Sequence, residues 1–439
     1  MTAPAKKKYG LWTASAFVVA NMIGTGVFTS LGFQLEATDN FLAIMILWAI
    51  GGLIALCGAV SYGELGALFP RSGGEYYYLG HIYSPLVGFL TGWISLIVGF
   101  AAPVALACMA LSSYVEPLLP GIPAEAVSIA VLTLVTLIHA LTLRVSGVAQ
   151  NILTWIKVGV IVLFIVLGLT VPAHLESVRP SVEGFDWKIL FSAPFAVSII
   201  WVYYAYSGWN ASAYIANDIE RPQKTLPRSL LLSTAAVTAI YMLLNLVFLL
   251  TAPVSEMKSQ VEIGLISASH ILGPRWGTAM GLVIAFMLLS SISSMVFIGP
   301  RVSQAMGKEH RMLRFLNRQT RAGIPYAGLI FQFVLSAVMI LTGSFSLVTR
   351  YTGVLLSASS LMAVLGVIVC RFTRPNDARA FKSPLYPVPQ VIFIVLMLVS
   401  IVYAIAEDWK VAAVSLGTLA GGVAFYYLEL FIEKKYLTR

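Results

Sequence analysis

Residues 18–30 read VVANMIGTGVFTS, and Gly24, Thr25 and Gly26 stand near the middle of a stretch apolar enough to cross a membrane. Unpaired backbone groups cost several kcal/mol each in lipid, so an interrupted helix must line a cavity or meet a ligand. Glycine permits unusual backbone dihedral angles and lets a ligand approach the main chain. We therefore predict that this helix breaks and that the break binds a ligand. The alternative is that the glycines only allow close helix packing.

The composition of the whole chain is that of a helical integral membrane protein. Of its 439 residues, 59% are hydrophobic and 11% are charged, whereas soluble domains carry about 25% charged residues. The apolar runs are long enough for membrane helices and too long for the strands of a barrel. They predict twelve spans at 11–35, 41–69, 84–115, 124–143, 147–171, 190–217, 226–252, 276–305, 325–343, 349–371, 384–405 and 409–433.

A second interrupted helix is predicted at 203–214, YYAYSGWNASAY, with Ser207 and Gly208 at its centre. Gly208 follows Gly24 by 184 residues, close to the length of five spans. Two interrupted spans at matching places in two halves are typical of a transporter with an inverted repeat.

We accordingly predict a single transmembrane transporter domain over residues 1–439. Residues 11–171 would form the first five-helix repeat, 190–371 the inverted second repeat, and 384–433 two additional helices. Because five is odd, the second repeat must sit upside down in the membrane.

The two breaks offer complementary chemistry. Free N–H groups at the start of a half-helix suit a carboxylate, and unwound carbonyls at Ala205–Gly208 can accept hydrogen bonds from an ammonium group. Together they predict a site for a zwitterion. Tyr204, Tyr206 and Trp209 flank the second break and either close over the ligand or belong to the packed core.

Lys157 is the most informative single residue, because it lies in the middle of a span, NILTWIKVGVIVLF, that carries no acidic residue. A lysine at that depth is costly and indicates a functional site. The alternative, a side chain that reaches back to the interface, is weakened by its distance from the start of the span. Hydroxyl partners could come from the span-8 serines Ser290, Ser291, Ser293 and Ser294.

The basic residues predict the orientation of the chain. Most of the 28 Lys and Arg residues fall in the loops that are cytoplasmic if the amino terminus is inside, as the positive-inside rule requires. We therefore expect a multi-pass protein of the cell membrane with both termini cytoplasmic. The net charge of +9 is explained by this topology and indicates no nucleic acid.

Motifs for enzymatic chemistry are missing from the sequence. There is no nucleophile–histidine pair, metal-ligand cluster or phosphate-binding loop at useful spacing, so we predict no enzyme, no metal and no cofactor. Apart from Glu64, placed toward the inner end of span 2, no carboxylate is predicted deep within the first ten spans, so none is expected in the pocket. A pocket for a cationic side chain or a polyamine would need one, which disfavours those substrates.

Four stretches resemble the amino acid–polyamine–organocation (APC) superfamily, and the aromatic-Ala-Tyr-x-Gly-Trp-Asn pattern with the span-5 lysine is most similar to its L-type amino acid transporter family. The resemblance implies a leucine-transporter-like fold of twelve transmembrane helices, with a five-plus-five inverted repeat and helices 1 and 6 broken. The stretches are NMIGTGVF (21–28), PRSGGEYYYL (70–79), YAYSGWN (204–210) and NDIERPQKTLPRS (217–229).

The resemblance also implies roles for individual residues. Amides around Ile23–Gly26 would hold the substrate carboxylate, and Tyr204 would be the gating aromatic. Lys157 would occupy the place of sodium in sodium-coupled relatives, contacting the first break and Ser291, and Tyr241 would organise the site. The predicted substrate contacts are Ile23, Gly24, Thr25, Gly26, Tyr204, Ala205, Tyr206, Ser207, Gly208 and Trp209, and the predicted coupling residues are Lys157, Tyr241, Ser290 and Ser291.

The sequence also departs from this family. Thr29-Ser30-Leu31 stands where a proline is usual, and two adjacent tyrosines precede YSGWN. Light chains of eukaryotic relatives carry a cysteine between spans 3 and 4, but loop 116–123, EPLLPGIP, has none. We therefore expect no disulfide-linked heavy chain.

We predict a secondary transporter of small neutral L-amino acids that works by alternating access as a sodium-independent exchanger. The first alternative is a proton-coupled symporter in which Lys157 gains and loses the proton. A transporter of cationic amino acids or polyamines is a further alternative. A non-transporting amino acid receptor and a membrane enzyme are candidates from other classes, and both lack a supporting domain or motif.

Overall fold

The computed structural model describes residues 9–141, 147–170, 185–321 and 323–437. These ranges confirm the predicted all-α class, because the chain there is helical apart from turns and an isolated bridge between Tyr9 and Ile219. The α-helices are α1 (Leu11–Met22), α2 (Gly26–Gln34), α3 (Phe41–Leu68), α4 (Gly74–Ile82), α5 (Pro85–Ile94), α6 (Ala101–Val115), α7 (Ala124–Leu141), α8 (Gly147–Thr170), α9 (Ala193–Tyr206), α10 (Pro222–Thr251), α11 (Val254–Met257), α12 (Ile263–Leu272), α13 (Pro274–Glu309), α14 (Tyr326–Thr342), α15 (Phe345–Thr373), α16 (Val388–Glu407) and α17 (Trp409–Leu437). A π segment lies at Ser95–Gly99, and 3₁₀ segments lie at Glu116–Leu118, Trp187–Phe191, Ala211–Asp218 and Arg314–Asn317.

Nine helical stretches in the described ranges are long and apolar enough to cross a membrane, with α1 and α2 counted as one. Predicted span 5 corresponds to α8, in which Thr154–Thr170 is the apolar stretch, and predicted spans 6 and 9 correspond to the shorter helices α9 and α14. Residues 142–143 of predicted span 4 and residue 171 of predicted span 5 lie outside the described residues. The total of twelve spans and the inverted repeat therefore remain predictions.

Both predicted helix interruptions are confirmed. Helix α1 ends at Met22 and α2 begins at Gly26, so three residues of the first span lie outside either helix. Helix α9 ends at Tyr206, and the chain continues through a turn into the 3₁₀ segment Ala211–Asp218. Gly208 in that turn has a φ of 96°, a left-handed conformation that glycine adopts readily.

The first break lies against the second. Helix α2 packs on α9, and α1 packs on α8 and α10. A Cβ atom on Gly26 would collide with the backbone of Ala205, and one on Gly208 would lie 2.6 Å from the carbonyl oxygen of Asn21. The two glycines therefore allow the interrupted segments to touch, which brings both breaks to one place in the molecule.

The far end of α2 is closed by aromatic packing and by a short helical segment. The ring of Phe33 stacks on that of Trp201, with centroids 4.4 Å apart. Residues 255–273 lie largely in α11 and α12, and the backbone N–H of Ser259 donates to the carbonyl of Gly32 at 2.9 Å. The side of the bundle where α2 ends is therefore sealed.

Near the carboxyl end of α3, a buried ion-pair cluster links α3 to α15 and to the loop before α16. The Glu64 carboxylate lies 2.7 Å from Nε of Arg371 and 3.3 Å from Nε of Arg379. It also accepts a hydrogen bond of 2.8 Å from the backbone N–H of Ser383. The side chain of Arg379 is only 2% exposed, so the carboxylate is needed to compensate a buried cation.

Replacement of Glu64 by glutamine is expected to lower the free energy of unfolding by about 3–5 kcal/mol, because two guanidinium groups would lose their counter-ion. The matched control is Asp408→Asn, which breaks the more exposed pair with Arg350 at 2.7 Å and should cost no more than about 1 kcal/mol. Thermal unfolding of the purified protein in detergent measures both. Equal losses in the two variants would contradict the structural role of the cluster.

Candidate functional site

A cavity lies between the two breaks and has a volume of about 150 Å³. At about 10–15 Å³ for each water molecule, the cavity has room for on the order of ten waters, enough for a small organic ligand. Eight of the ten predicted substrate contacts line it: Gly24, Thr25, Gly26, Tyr204, Ala205, Ser207, Gly208 and Trp209.

The remaining two predicted contacts do not line this cavity. Ile23 is buried behind the first break, where its carbonyl accepts a hydrogen bond from Lys157. Tyr206 is directed to the neighbouring helix α3, where its hydroxyl donates to the carbonyl of Trp48 at 3.2 Å. Both residues support the breaks from behind.

At the first break, the chain presents backbone to the cavity. Gly24, Thr25 and Gly26 all line it, and no atom lies within 4 Å of a Cβ built on Gly24. The first amides of a helix have no acceptor within that helix. The start of α2 can therefore donate hydrogen bonds to an anionic group and adds the positive end of its dipole.

At the second break, the backbone provides acceptors. The Tyr204 carbonyl accepts from the N–H of Ser207 at 3.0 Å, and the Ala205 carbonyl accepts from the hydroxyl of Tyr241 at 3.2 Å. A carbonyl oxygen can accept two hydrogen bonds, so each keeps capacity for a ligand. The Tyr204 hydroxyl and Thr25 Oγ1 are hydrogen-bonded at 3.1 Å and join the two breaks.

Lys157 lies behind the first break and is 4% exposed. Its Nζ donates to the carbonyl of Ile23 at 3.2 Å and to Oγ of Ser291 at 2.9 Å. The structure thus brings Lys157 to the first break and links it to α13. Ser291 also lines the cavity, and so does Ser294, whereas Ser290 lines no part of it.

Tyr241 on α10 contacts both broken helices, because its hydroxyl lies 2.6 Å from the carbonyl of Met22 and 3.2 Å from that of Ala205. Replacement by phenylalanine removes this donor at a cost of about 1 kcal/mol. We expect about a fivefold loss of ligand affinity with little change in maximal rate. Competition binding measures the ligand affinity, with the exposed Tyr403→Phe as control. A loss no larger than in the control would contradict this positioning role.

The sequence analysis did not identify the charged residue of the cavity. Glu75, in the first turn of α4, is 3% exposed and lines the cavity. It accepts hydrogen bonds from Asn210 Nδ2 at 3.0 Å, from the Tyr214 hydroxyl at 2.8 Å, from Ser360 Oγ at 3.3 Å and from the Tyr62 hydroxyl. The expectation that the pocket holds no carboxylate was therefore wrong.

The cavity extends from the breaks towards the side of the bundle where α1 begins. On that side it is lined by partly exposed residues, including Phe17 and Ala20 of α1 and Val302 of α13. Phe28 and Leu31, further along α2, are buried. Access to the cavity is therefore from the α1 side, opposite to the sealed end of α2.

Two further site predictions can be compared with the structure. In the part of the chain described, no group of three or more His, Cys, Asp or Glu residues could hold a metal ion. Cys57, Cys108 and Cys370 are free and buried in helices. None of these three thiols is therefore placed to reach a partner chain at the surface.

Comparison with known proteins gives a family and a set of relatives. The amino acid permease family matches residues 9–429. The b(0,+)-type amino acid transporter 1 of Mus musculus is 27% identical over 98% of this chain and 90% of its own length. The Asc-type amino acid transporter 1 of Mus musculus is 27% identical, and the large neutral amino acids transporter small subunit 2 of Mus musculus is 26% identical. Each of the last two matches 98% of this chain and 82% of the relative.

Proposed function

We propose, from the premise that the chain belongs to the amino acid permease family, that it exchanges neutral L-amino acids across the cell membrane without sodium. The family and the matched relatives are membrane amino acid transporters of the APC superfamily, and this protein is accordingly a multi-pass membrane protein and not an enzyme. Substrate class, exchange and sodium independence are the proposal.

The observation that carries the proposal is the meeting of two helix breaks at one cavity. Amides at Gly24–Gly26 would take the substrate carboxylate, and carbonyls at Ala205 and Ser207 its α-amino group. Because these groups recognise the part that all α-amino acids share, the side chain lies in the remaining space. Most of the lining is apolar or uncharged, which suits neutral side chains. The name of one relative, a transporter of large neutral amino acids, agrees with this choice.

The position of Lys157 supports the proposal that transport does not depend on sodium. Its ammonium group lies 3.2 Å from the carbonyl of Ile23 at the first break, where the family resemblance places sodium in coupled relatives. A resident cation would repel a second one at that distance, all the more strongly in a buried site. The ammonium group would hold the break in the conformation that sodium supports elsewhere.

The proposed transport cycle uses the twelve spans and the inverted repeat, with both termini cytoplasmic as the distribution of basic residues predicts. The accessible side of the cavity, where α1 begins, would then face the cytoplasm, and the sealed side the exterior. Alternating access would require α2 and α9 to separate from the α11–α12 segment. No disulfide-linked partner is expected, since loop 116–123 contains no cysteine.

The test is exchange in proteoliposomes containing only the purified protein. Labelled alanine outside should enter when unlabelled neutral amino acid is inside, and this uptake should be unchanged when sodium is replaced by potassium. Empty liposomes are the control. Absence of uptake with every counter-substrate tried would reject the transporter proposal, and uptake that needs sodium would reject its coupling mode.

A proton-coupled symporter is the second candidate, favoured by a buried lysine whose two described partners, Ile23 and Ser291, are uncharged. Such a lysine could release and regain a proton during each cycle. The two functions can be distinguished in proteoliposomes that contain no amino acid inside. An inwardly directed proton gradient drives net uptake only in the symporter. Exchange requires amino acid on both sides of the membrane.

A further inference from the structure

We propose that Glu75 selects the charge of the substrate side chain: its carboxylate forms a second subsite in the cavity that favours side chains ending in an amine and rejects acidic ones. This inference rests on the proposed amino acid transport and extends it to a substrate class that the sequence analysis disfavoured. The subsite would take a short diamino acid such as ornithine, with the α-carboxylate and α-amino groups held at the two breaks.

The carboxylate of Glu75 is the one acidic group on the cavity wall, within the part of the chain that the structure describes. The described lining residues include no lysine, arginine or histidine, because Lys157 lies behind the first break. Glu75 is buried to 97% by its neighbours, being 3% exposed. A charge placed there acts on a ligand with little screening by solvent.

The described partners of Glu75 are all neutral hydrogen-bond donors, and none of them is a cation. An ionised carboxylate only accepts hydrogen bonds, and all four described partners can donate: Tyr62, Asn210, Tyr214 and Ser360. No described ion pair includes Glu75. Its place in the first turn of α4 adds a favourable helix dipole. A cationic ligand would therefore supply the missing counter-charge.

Atom Oε2 of Glu75 can accept a further hydrogen bond. Three donors, Tyr62, Asn210 and Ser360, bond to Oε1, whereas Tyr214 is the described donor to Oε2. Because each carboxylate oxygen carries two lone pairs, Oε2 can accept a further hydrogen bond from a ligand. An ammonium group would gain both the hydrogen bond and the ionic attraction.

The carboxylate of Glu75 and the ammonium group of Lys157 are associated with different helix breaks. Asn210, which donates to Glu75, lies two residues after Gly208 of the second break. Lys157 contacts the first break instead. The ammonium group of Lys157 thus lies behind the first break, whereas the carboxylate of Glu75 lies on the cavity wall. A diamino acid oriented by its carboxylate at the first break would have its positive end towards Glu75.

The test compares ornithine with norleucine, whose side chains have the same length and shape and end in an ammonium or a methyl group. Both compete with labelled alanine for uptake into proteoliposomes. In the wild-type protein ornithine should compete at least as well as norleucine. In Glu75→Gln the half-inhibitory concentration of ornithine should rise at least about tenfold, and that of norleucine should stay within about threefold. Glu220→Gln removes an exposed carboxylate and is the matched control.

Two results would overturn the inference while leaving the proposed function intact. One is wild-type protein that exchanges alanine and norleucine but is not inhibited by ornithine. The other is an equal loss for ornithine and norleucine in Glu75→Gln, which would make Glu75 a structural clamp. Absence of alanine exchange in the wild type would instead reject the proposed function.

A second comparison needs no folded Glu75→Gln variant. Glutamine and glutamate have side chains of nearly the same size, but only that of glutamate is an anion, so wild-type protein should be inhibited by glutamine at least about tenfold more strongly than by glutamate. Glu75→Asp retains the charge and should keep this order. Equal inhibition by the two amino acids in the wild type would also overturn the inference.

Discussion

Replacement of Lys157 by alanine is expected to reduce amino acid exchange at least about 100-fold while the protein still folds and inserts. The ε-ammonium group donates to the carbonyl of Ile23 at 3.2 Å and to Ser291 at 2.9 Å. Hydrogen bonds from charged groups contribute about 1.5–3 kcal/mol each. Loss of both would free the first break from α13 and leave a carbonyl at membrane depth without its donor. Initial exchange rates of alanine in proteoliposomes measure the effect.

The matched control for this prediction is Lys410→Ala, which removes an exposed lysine at the start of α17. Its exchange rate should remain within about twofold of the wild type, as expected for a surface charge. Size-exclusion profiles and thermal unfolding in detergent show whether each variant is folded. A folded Lys157→Ala protein that exchanges alanine at the wild-type rate would remove the proposed role of the ammonium group.

The interruption of both helices was predictable because non-helical backbone at membrane depth is tolerated only where it lines a cavity or is buried in protein. A glycine pair and a Ser-Gly pair at mid-span, in a chain of this composition, indicate backbone that is not helical. The partner of Lys157 could likewise be narrowed in advance. A lysine at membrane depth must find polar partners, and Lys157 finds uncharged oxygen atoms at Ile23 and Ser291.

Which residues face the cavity could not be predicted as well, because it depends on how two broken segments are rotated. Ile23 and Tyr206 belong to the breaks in sequence but turn behind them, towards Lys157 and Trp48. The apolar pattern gives no help here. Both sides of a break in the centre of a bundle are buried, so hydrophobic residues occur all around it.

Glu75 was missed for a different reason. Its stretch, PRSGGEYYYL, follows an apolar run and lies between predicted spans 2 and 3. In the structure Gly73 and Gly74 have φ angles of 125° and 53°, and the chain turns there into α4, whose first turn reaches the cavity. A pair of glycines before an acidic residue was the available signal. Its consequence depends on contacts with Asn210 and Tyr214, which are distant in sequence.

Replacement of Gly26 by alanine is expected to abolish exchange and to destabilise the protein, although it adds a single methyl group. The new Cβ would collide with the Cα and Cβ atoms of Ala205, so α2 and α9 would have to separate. Overpacking of this kind costs about 1–3 kcal/mol. Because the same movement displaces both halves of the binding site, we expect at least about a 100-fold loss of exchange together with a lower unfolding temperature.

Gly24, two residues earlier, provides the informative comparison. A Cβ there meets no atom within 4 Å, and the residue lines the cavity. Gly24→Val should therefore block alanine binding by filling ligand space, with an unfolding temperature close to that of the wild type. Gly159→Ala, at another glycine whose Cβ would meet nothing, should change neither property. If Gly24→Val bound alanine with wild-type affinity, the cavity between the breaks could not be the substrate site, because the valine side chain would occupy the space that the ligand needs.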